Sequence, residues 1–275
     1  MKGCPLRCQW CHNPEGWTAA PQLRFFASRC SGCGACVRAC SHGVHTLSAE
    51  GVHSIAPERC VQCGACIDGC MLGALERSGK QMTVEEVLAV VRRDVPFYQQ
   101  SGGGMTLSGG EPLQQWEFTH ALLEAAHAEG MHTTMETSAY VPWERLASLL
   151  PLVDLFYVDV KHTDEQRHRA LTGISNTCTL ENVRQLTAAG HSLLVRVPWI
   201  PTRNVEESFL HGLTELLLSC ATPPPVEFLV YHRLGQSKWL SLGGESPMPA
   251  DIPDAQAEDV LPWVEHLRAR GITAK

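Results

Sequence analysis

Cysteine placement constrains this chain more than any other feature. Of thirteen cysteines in 275 residues, eleven lie within the first 70. They fall into three groups. Cys4, Cys8 and Cys11 are spaced C-x3-C-x2-C. Cys30, Cys33, Cys36 and Cys40 are spaced C-x2-C-x2-C-x3-C, and Cys60, Cys63, Cys66 and Cys70 repeat that spacing thirty residues later, which marks an internal duplication. A disulfide framework belongs to short secreted chains. Here the cysteine total is odd, the opening MKGCPLRCQWCHN has no apolar core of signal-peptide length, and beyond residue 70 only Cys178 and Cys220 remain. Those two have no partner motif and read as packed thiols. The clustered eleven read as ligands.

The duplicated run has the spacing of bacterial ferredoxins, in which three cysteines on one tight loop hold a [4Fe–4S] cube and the fourth closes the cube on the other run. This predicts one cluster on Cys30, Cys33, Cys36 and Cys70 and a second on Cys60, Cys63, Cys66 and Cys40. Ser41 and Met71 stand where ferredoxins have a proline. Structural zinc also favours C-x2-C pairs, but two identical four-cysteine runs match the iron–sulfur pattern better. The first group has three cysteines, and a three-ligand site keeps a coordination position open for chemistry. The alternative, a zinc knuckle completed by His12, requires a sharp turn because His12 abuts Cys11.

Composition excludes several classes. Hydrophobic residues make up 44% and charged residues 19%, with a net charge of −7. That is globular composition, disfavours nucleic acid as a partner, and contains no run of eighteen apolar residues to span a membrane. After Cys70 short apolar strands are predicted at 105–107, 132–136, 153–160, 193–199 and 226–231, with helices at 116–129, 143–150, 180–189 and 206–219. A capping box at Thr83-Val84-Glu85-Glu86 starts an earlier helix; Met82 can staple onto Val87, and Pro96 ends or bends it. Pro262 is expected to kink a terminal helix over 255–270. Strand–helix alternation of this kind predicts an α/β fold whose ligands gather at strand C-terminal ends.

The first group, with Trp10 before Cys11, resembles the cluster motif C-x3-C-x-aromatic-C of the radical S-adenosylmethionine (SAM) superfamily. Its extension Cys11-His12-Asn13-Pro14-Glu15, with two ferredoxin-like runs behind it, resembles the glycyl radical enzyme activating enzymes, whose prototype is the pyruvate formate-lyase activating enzyme. The resemblance continues along the chain. It runs through Ser108-Gly109-Gly110-Glu111-Pro112, Glu136-Thr137-Ser138, Asp159-Val160-Lys161, Arg196-Val197-Pro198, and His232 followed by Gly235 and Lys238-Trp239. It implies a partial (β/α)6 radical SAM barrel interrupted by a ferredoxin-like insert. The expected divisions are 1–22 for the start of the core, 23–79 for the insert and 80–275 for the rest of the barrel. Relatives carry a strand before the cluster loop, and here only Met1-Lys2-Gly3 precede Cys4. The first barrel strand is therefore expected to be missing, through truncation or a misassigned start.

The resemblance further implies three [4Fe–4S] clusters, with the one on Cys4, Cys8 and Cys11 binding SAM through its open iron. Trp10, His12, Gly109, Gly110, Glu111, Glu136, Asp159, Val160, Lys161 and His232 are the expected cofactor contacts. Lys161 and Arg196 join the three cysteines as catalytic candidates. Asp159 is expected at the ribose or amino end of SAM and Lys161 at its carboxylate, the exact atoms staying open. The implied activity is reductive cleavage of SAM to methionine and a 5′-deoxyadenosyl radical, which takes hydrogen from a glycine of a partner enzyme such as a formate C-acetyltransferase or a dehydratase. Flavodoxin or ferredoxin is the expected electron donor, the anaerobic cytoplasm the expected location, and a monomer the expected state. Two alternatives stand beside this: a radical SAM enzyme acting on a small molecule or peptide, and a ferredoxin-like electron carrier.

Overall fold

The computed structural model describes residues 1–248 and 252–275. Behind the first cysteine loop the chain makes a small unit of β1 (Gln22–Phe25), α1 (Ala35–Ala39), β2 (His45–Leu47), β3 (His53–Ile55), α2 (Ala65–Asp68) and β4 (Leu75–Ser78). β1 pairs antiparallel with β4, Gln22 opposite Ser78 and Phe25 opposite Leu75, so both ends of the segment leave side by side. β2 and β3 form the matching hairpin, with His45 opposite Ile55. Leu23, Val44, Cys66 and Leu75 bury a core of their own, separate from the main one.

The rest of the chain builds one parallel sheet. The connecting elements α3 (Val84–Val91) and α4 (Val95–Ser101) lead into β5 (Gly104–Leu107). The alternation then runs α5 (Trp116–Ala128), β6 (His132–Thr137), α6 (Trp143–Ala147), β7 (Leu155–Asp159), α7 (Glu165–Thr172), α8 (Thr177–Ala188), β8 (Leu193–Trp199), α9 (Glu207–Leu218) and β9 (Val226–Val230), followed by α10 (Gln236–Ser241) and α11 (Leu261–Arg268). The strand order is β5-β6-β7-β8-β9, every neighbour parallel. Period-two alternation sorts the faces. Phe156, Val158 and Val160 on β7 and its end, and Val195 and Val197 on β8, are fully buried in the core. Tyr157, Asp159, Lys161 and Arg196 take the opposite face. Each large apolar side chain buried in this way contributes about 2 kcal/mol.

All five predicted strands are present, within two residues of their expected ends. Among the described residues no strand pairs with the other edge of β5. Gly104 is a contact point: a Cβ there would stand 1.8 Å from the His132 carbonyl oxygen, so only glycine lets β5 close on β6. The capping box at Thr83 forms, with Thr83 Oγ1 accepting from Glu86 N at 3.2 Å and Thr83 N donating to Glu86 Oε2 at 2.8 Å. Thr83→Ala is expected to cost about 1 kcal/mol, read as a lower urea midpoint at unchanged m-value.

Both proline expectations change. Pro96 does not merely end α3: the chain passes a 3-10 turn at Arg92–Asp94 and restarts with Pro96 in the first turn of α4. Pro262 likewise sits in the first turn of α11 behind a 3-10 turn at Ala257–Val260. Neither kinks a helix, because a first-turn proline lacks only an N–H that the helix does not use. The polar helix α7 escaped the periodicity search, although its cap Asp164 accepts from Arg167 N at 2.8 Å. No helix among the described residues is long and apolar enough to cross a membrane.

Candidate active site

A cavity of about 570 Å³ opens at the C-terminal ends of the strands. Its wall takes Cys4, Cys8, Trp10, Cys11 and His12 from the first cysteine loop, and Gly109, Gly110 and Glu111 from the loop after β5. Glu136 enters from β6, Asp159 and Lys161 from β7 and its end, Arg196 from β8, and His232 from beyond β9. Nearly every candidate residue is thereby brought to one place. Val160 is the exception: its side chain is fully buried in the core and does not line the cavity. Its neighbours on either side face the ligand space, so alternation turns it away. Three cysteines line this cavity and no fourth does.

The cysteine loop is held by backbone. Gly110 N donates to Met1 O at 2.9 Å, Glu111 N to Gly3 O at 2.7 Å, and Gly3 N to Gly16 O at 2.8 Å. Arg7 N and Gln9 N donate to Thr172 O and Leu171 O at the end of α7. Glu111, 1% exposed, anchors the next loop: its carboxylate accepts from Thr137 Oγ1 at 2.7 Å, Ser138 N at 2.8 Å and Ser138 Oγ at 2.6 Å. A buried carboxylate accepting this many hydrogen bonds ties the β5 and β6 loops together. Ala139, directly behind, holds φ 49, a left-handed conformation costing about 1 kcal/mol that the surrounding bonds sustain.

Charge in the cavity is arranged in pairs. Arg196 bridges Glu136 (2.6 Å) and Glu227 (2.9 Å) and lies 3.9 Å over the Tyr157 ring. Ser108 Oγ donates to the other Glu136 oxygen at 2.5 Å. Lys161 Nζ sits 2.8 Å from Asp159 Oδ2. Burial alone would lower the Lys161 pKa, yet the Asp159 carboxylate, joined by Cys8 and Cys4 once they are thiolates, outweighs it and holds the ammonium above its ordinary value. Burial pushes the Cys4 thiol up to about 11 and Cys8 up to about 12, and raises Cys11 as well. Such thiols stay protonated at neutral pH until a metal displaces their protons.

Helix α10 clamps the cysteine loop. Lys238 Nζ reaches Asn13 Oδ1 at 2.5 Å and Glu15 Oε1 at 3.0 Å, and Trp239 Nε1 donates to Cys11 O at 3.1 Å while packing edge-on to Trp17 at 4.7 Å. The His12 ring lies 4.3 Å from that of His232, and its buried Nε2 has no hydrogen-bond partner. Ser108, Thr137 and Ser138 stand in the sequence motifs without a role of their own, and Tyr157 and Glu227 stand in none. Glu227 lies beside Arg196 only through the β8–β9 register, which no local pattern announces.

Two further cysteine-lined spaces lie in the small unit. One, about 340 Å³, is lined by Cys30, Cys33, Cys36 and Cys70; the other by Cys60, Cys63, Cys66 and Cys40. Each gathers three cysteines of one run and the fourth of the other. Cys220 is buried with its thiol donating to Leu216 O at 3.4 Å, and Cys178 is half-buried.

The profile of the Radical SAM superfamily matches residues 1–210. The chain is 41% identical over 267 residues to the choline trimethylamine-lyase activating enzyme of Oleidesulfovibrio alaskensis, covering 94% of this chain and 86% of that protein. It is 37% identical over 279 residues to the benzylsuccinate synthase activating enzyme of Thauera aromatica, covering 99% and 84%. In fold it matches a domain of a pyruvate-formate lyase-activating enzyme from Bacteroides vulgatus at a TM-score of 0.53 and 24% identity, covering 63% of this chain and 98% of that one. The chain belongs to the radical SAM superfamily, among the activating enzymes of glycyl radical enzymes.

Proposed function

We propose that Cys4, Cys8 and Cys11 hold a [4Fe–4S] cluster whose fourth iron takes SAM, and that the two crossed sets of four cysteines hold auxiliary clusters. The single observation carrying this is the pairing of one cavity that has three thiols and no fourth with two spaces that have four each. The donor sets fit: sulfur-only for closed clusters, and sulfur plus an open position for the reactive one. When bound, the three-thiolate cluster supplies the electron that cleaves SAM to methionine and a 5′-deoxyadenosyl radical, which takes hydrogen from a glycine of the partner.

The chain's own residues position and shield. Lys161 offers a cation to the SAM carboxylate, Asp159 and Glu136 offer carboxylates to its amino and ribose groups, and Arg196 keeps Glu136 in place. Gly109 and Gly110 let backbone approach the ligand, Trp10 backs the cluster loop, and His12 with His232 forms a ring pair at the far wall. The buried walls keep water from the reaction. Electrons are supplied by flavodoxin or ferredoxin in the cytoplasm, and the chain works as a monomer, a reading supported by a site complete within one chain. Residues 23–79 form the ferredoxin-like insert, a reading supported by their separate core.

The partner is proposed as a glycyl radical enzyme of the lyase or dehydratase kind rather than a formate C-acetyltransferase. Relatives at 36–41% identity are named for activating choline trimethylamine-lyase, (2S)-3-sulfopropanediol dehydratase and isethionate sulfite-lyase, and such similar identities place no one of these ahead. The electron-carrier alternative leaves the three-cysteine cavity without a purpose. The test is anaerobic reconstitution with iron and sulfide, reduction, and addition of SAM. 5′-Deoxyadenosine should appear, and adding a partner enzyme should give a glycyl radical signal by electron paramagnetic resonance. A reduced, fully loaded protein that leaves SAM intact would overturn the reading.

A further inference from the structure

The two auxiliary sets are not equivalent. Residues thirty apart are counterparts, so His45 corresponds to Leu75 and Leu47 to Arg77. Strand pairing extends the correspondence, since Leu47 faces His53 across β2–β3 just as Arg77 faces Leu23 across β4–β1. His53 and Leu23 therefore occupy the same place in the two halves. His53 lines the space of Cys30, Cys33, Cys36 and Cys70; Leu23 lines that of Cys60, Cys63, Cys66 and Cys40. At this position one set meets an imidazole and the other a hydrocarbon; at the second pair of counterparts the order reverses, with Leu75 lining the first space and His45 the second.

The imidazole is held firmly. Its Nδ1 lies 3.7 Å from Cys30 Sγ, and its Nε2 lies 3.6 Å from Cys36 Sγ and 3.0 Å from His45 Nδ1. Phe25 packs edge-on at 4.4 Å, and His45 is 3% exposed with no partner at its Nε2. Two tautomer chains are open to a neutral pair. If His45 Nδ1–H donates to His53 Nε2, His53 Nδ1–H is free to donate to Cys30, and the unused His45 Nε2 is an acceptor. The reverse chain aims a lone pair at the Cys30 sulfur and buries an unpaired N–H at His45, the costlier orphan.

Resting on the reading of Cys30, Cys33, Cys36 and Cys70 as cluster ligands, we propose that His53 tunes the reduction potential of that one cluster by donating to the Cys30 thiolate, with His45 as the positioning residue that fixes its tautomer. A hydrogen bond to ligating sulfur stabilises the extra negative charge of the reduced state and raises the potential. Arg77 sits over the other set and influences that cluster, so the comparison that counts is one cluster with and without its histidine.

The experiment is a potentiometric titration of the reconstituted full chain followed by electron paramagnetic resonance, with iron and sulfide measured first. His53→Leu, which installs the residue of the other half, should lower one midpoint by roughly tenfold in its reduction equilibrium, about 59 mV for one electron, and leave the others in place. His53→Asn, whose amide can replace the Nδ1 donor, should restore part of the shift, and His45→Leu should lower the same midpoint. A fully loaded His53→Leu protein with every midpoint unchanged refutes the tuning role while the auxiliary clusters stand. Loss of about four irons in His53→Leu also refutes it, making His53 a ligand; the Cys36, His45 and His53 ligand atoms do lie within 4.8 Å of one another. A wild-type chain holding no more than about four irons overturns the auxiliary clusters and this role with them.

Discussion

Cys8→Ala is expected to abolish SAM cleavage while leaving the protein folded and about eight of about twelve irons in place. Cys8 is the most buried of its group, 7% exposed, and lies between Cys4 and Cys11 on the cavity wall facing Lys161 and Asp159. No cysteine beyond these three lines that cavity among the described residues, so nothing can take over its place on the cube. The substitution removes one sulfur from a core position, a small volume change costing roughly 1 kcal/mol. Iron and sulfide analysis together with 5′-deoxyadenosine production after reduction measures both halves of the expectation. Retained cleavage would remove Cys8 from the reactive cluster. Loss of all iron would mean that the three sites do not assemble independently.

Gly110→Ala should lift the cysteine loop and cost both stability and turnover. A Cβ at Gly110 would stand 2.4 Å from both the Gly16 and Gly3 carbonyl oxygens. Both are backbone atoms of the cysteine loop, so no side chain can swing aside, and the loop itself must lift. The move breaks the bonds from Gly110 N to Met1 O and from Glu111 N to Gly3 O. Overpacking against backbone, together with these lost bonds, costs about 3 kcal/mol, or a fall of roughly 10 °C in melting temperature. Displaced cysteines should also slow SAM cleavage more than a hundredfold, in line with the roughly 10²-fold cost of a 1 Å misplacement. Gly244→Ala is the control: its nearest neighbour would be an ordinary contact at 3.7 Å, and the change should stay within about 0.5 kcal/mol. Calorimetry and turnover of the two proteins decide it, and equal behaviour would mean that the loop is not pinned at Gly110.

Much of this protein was legible in one dimension because its chemistry is carried by spacing. Three thiols in C-x3-C-x2-C fit one tight loop, and the duplicated runs already implied that each fourth cysteine would cross to the other set, as the two lined spaces show. The strands were visible as apolar runs between glycine-rich and polar turns. Their C-terminal ends named the residues that meet in the cavity, since parallel strands all end on the same side. Short polar helices were harder to see. In α7 only the cap and one buried stripe of His168, Leu171 and Thr172 distinguish the helix from a loop.

Sequence alone thus determined the grouping of the cysteines, the parallel α/β sheet and the family. These follow from local order, because chelation depends on spacing within a loop and a strand's face depends on alternate residues. The tertiary structure decided who stands beside whom. It set Arg196 between Glu136 and Glu227, turned Val160 into the core while its neighbours faced the ligand space, made Glu111 a buried tie between two loops, and put His53 against one cysteine set with Leu23 against the other. Each of those outcomes depends on register between segments far apart in the chain, and register is set by the packing of the whole sheet, not by any stretch of residues within it.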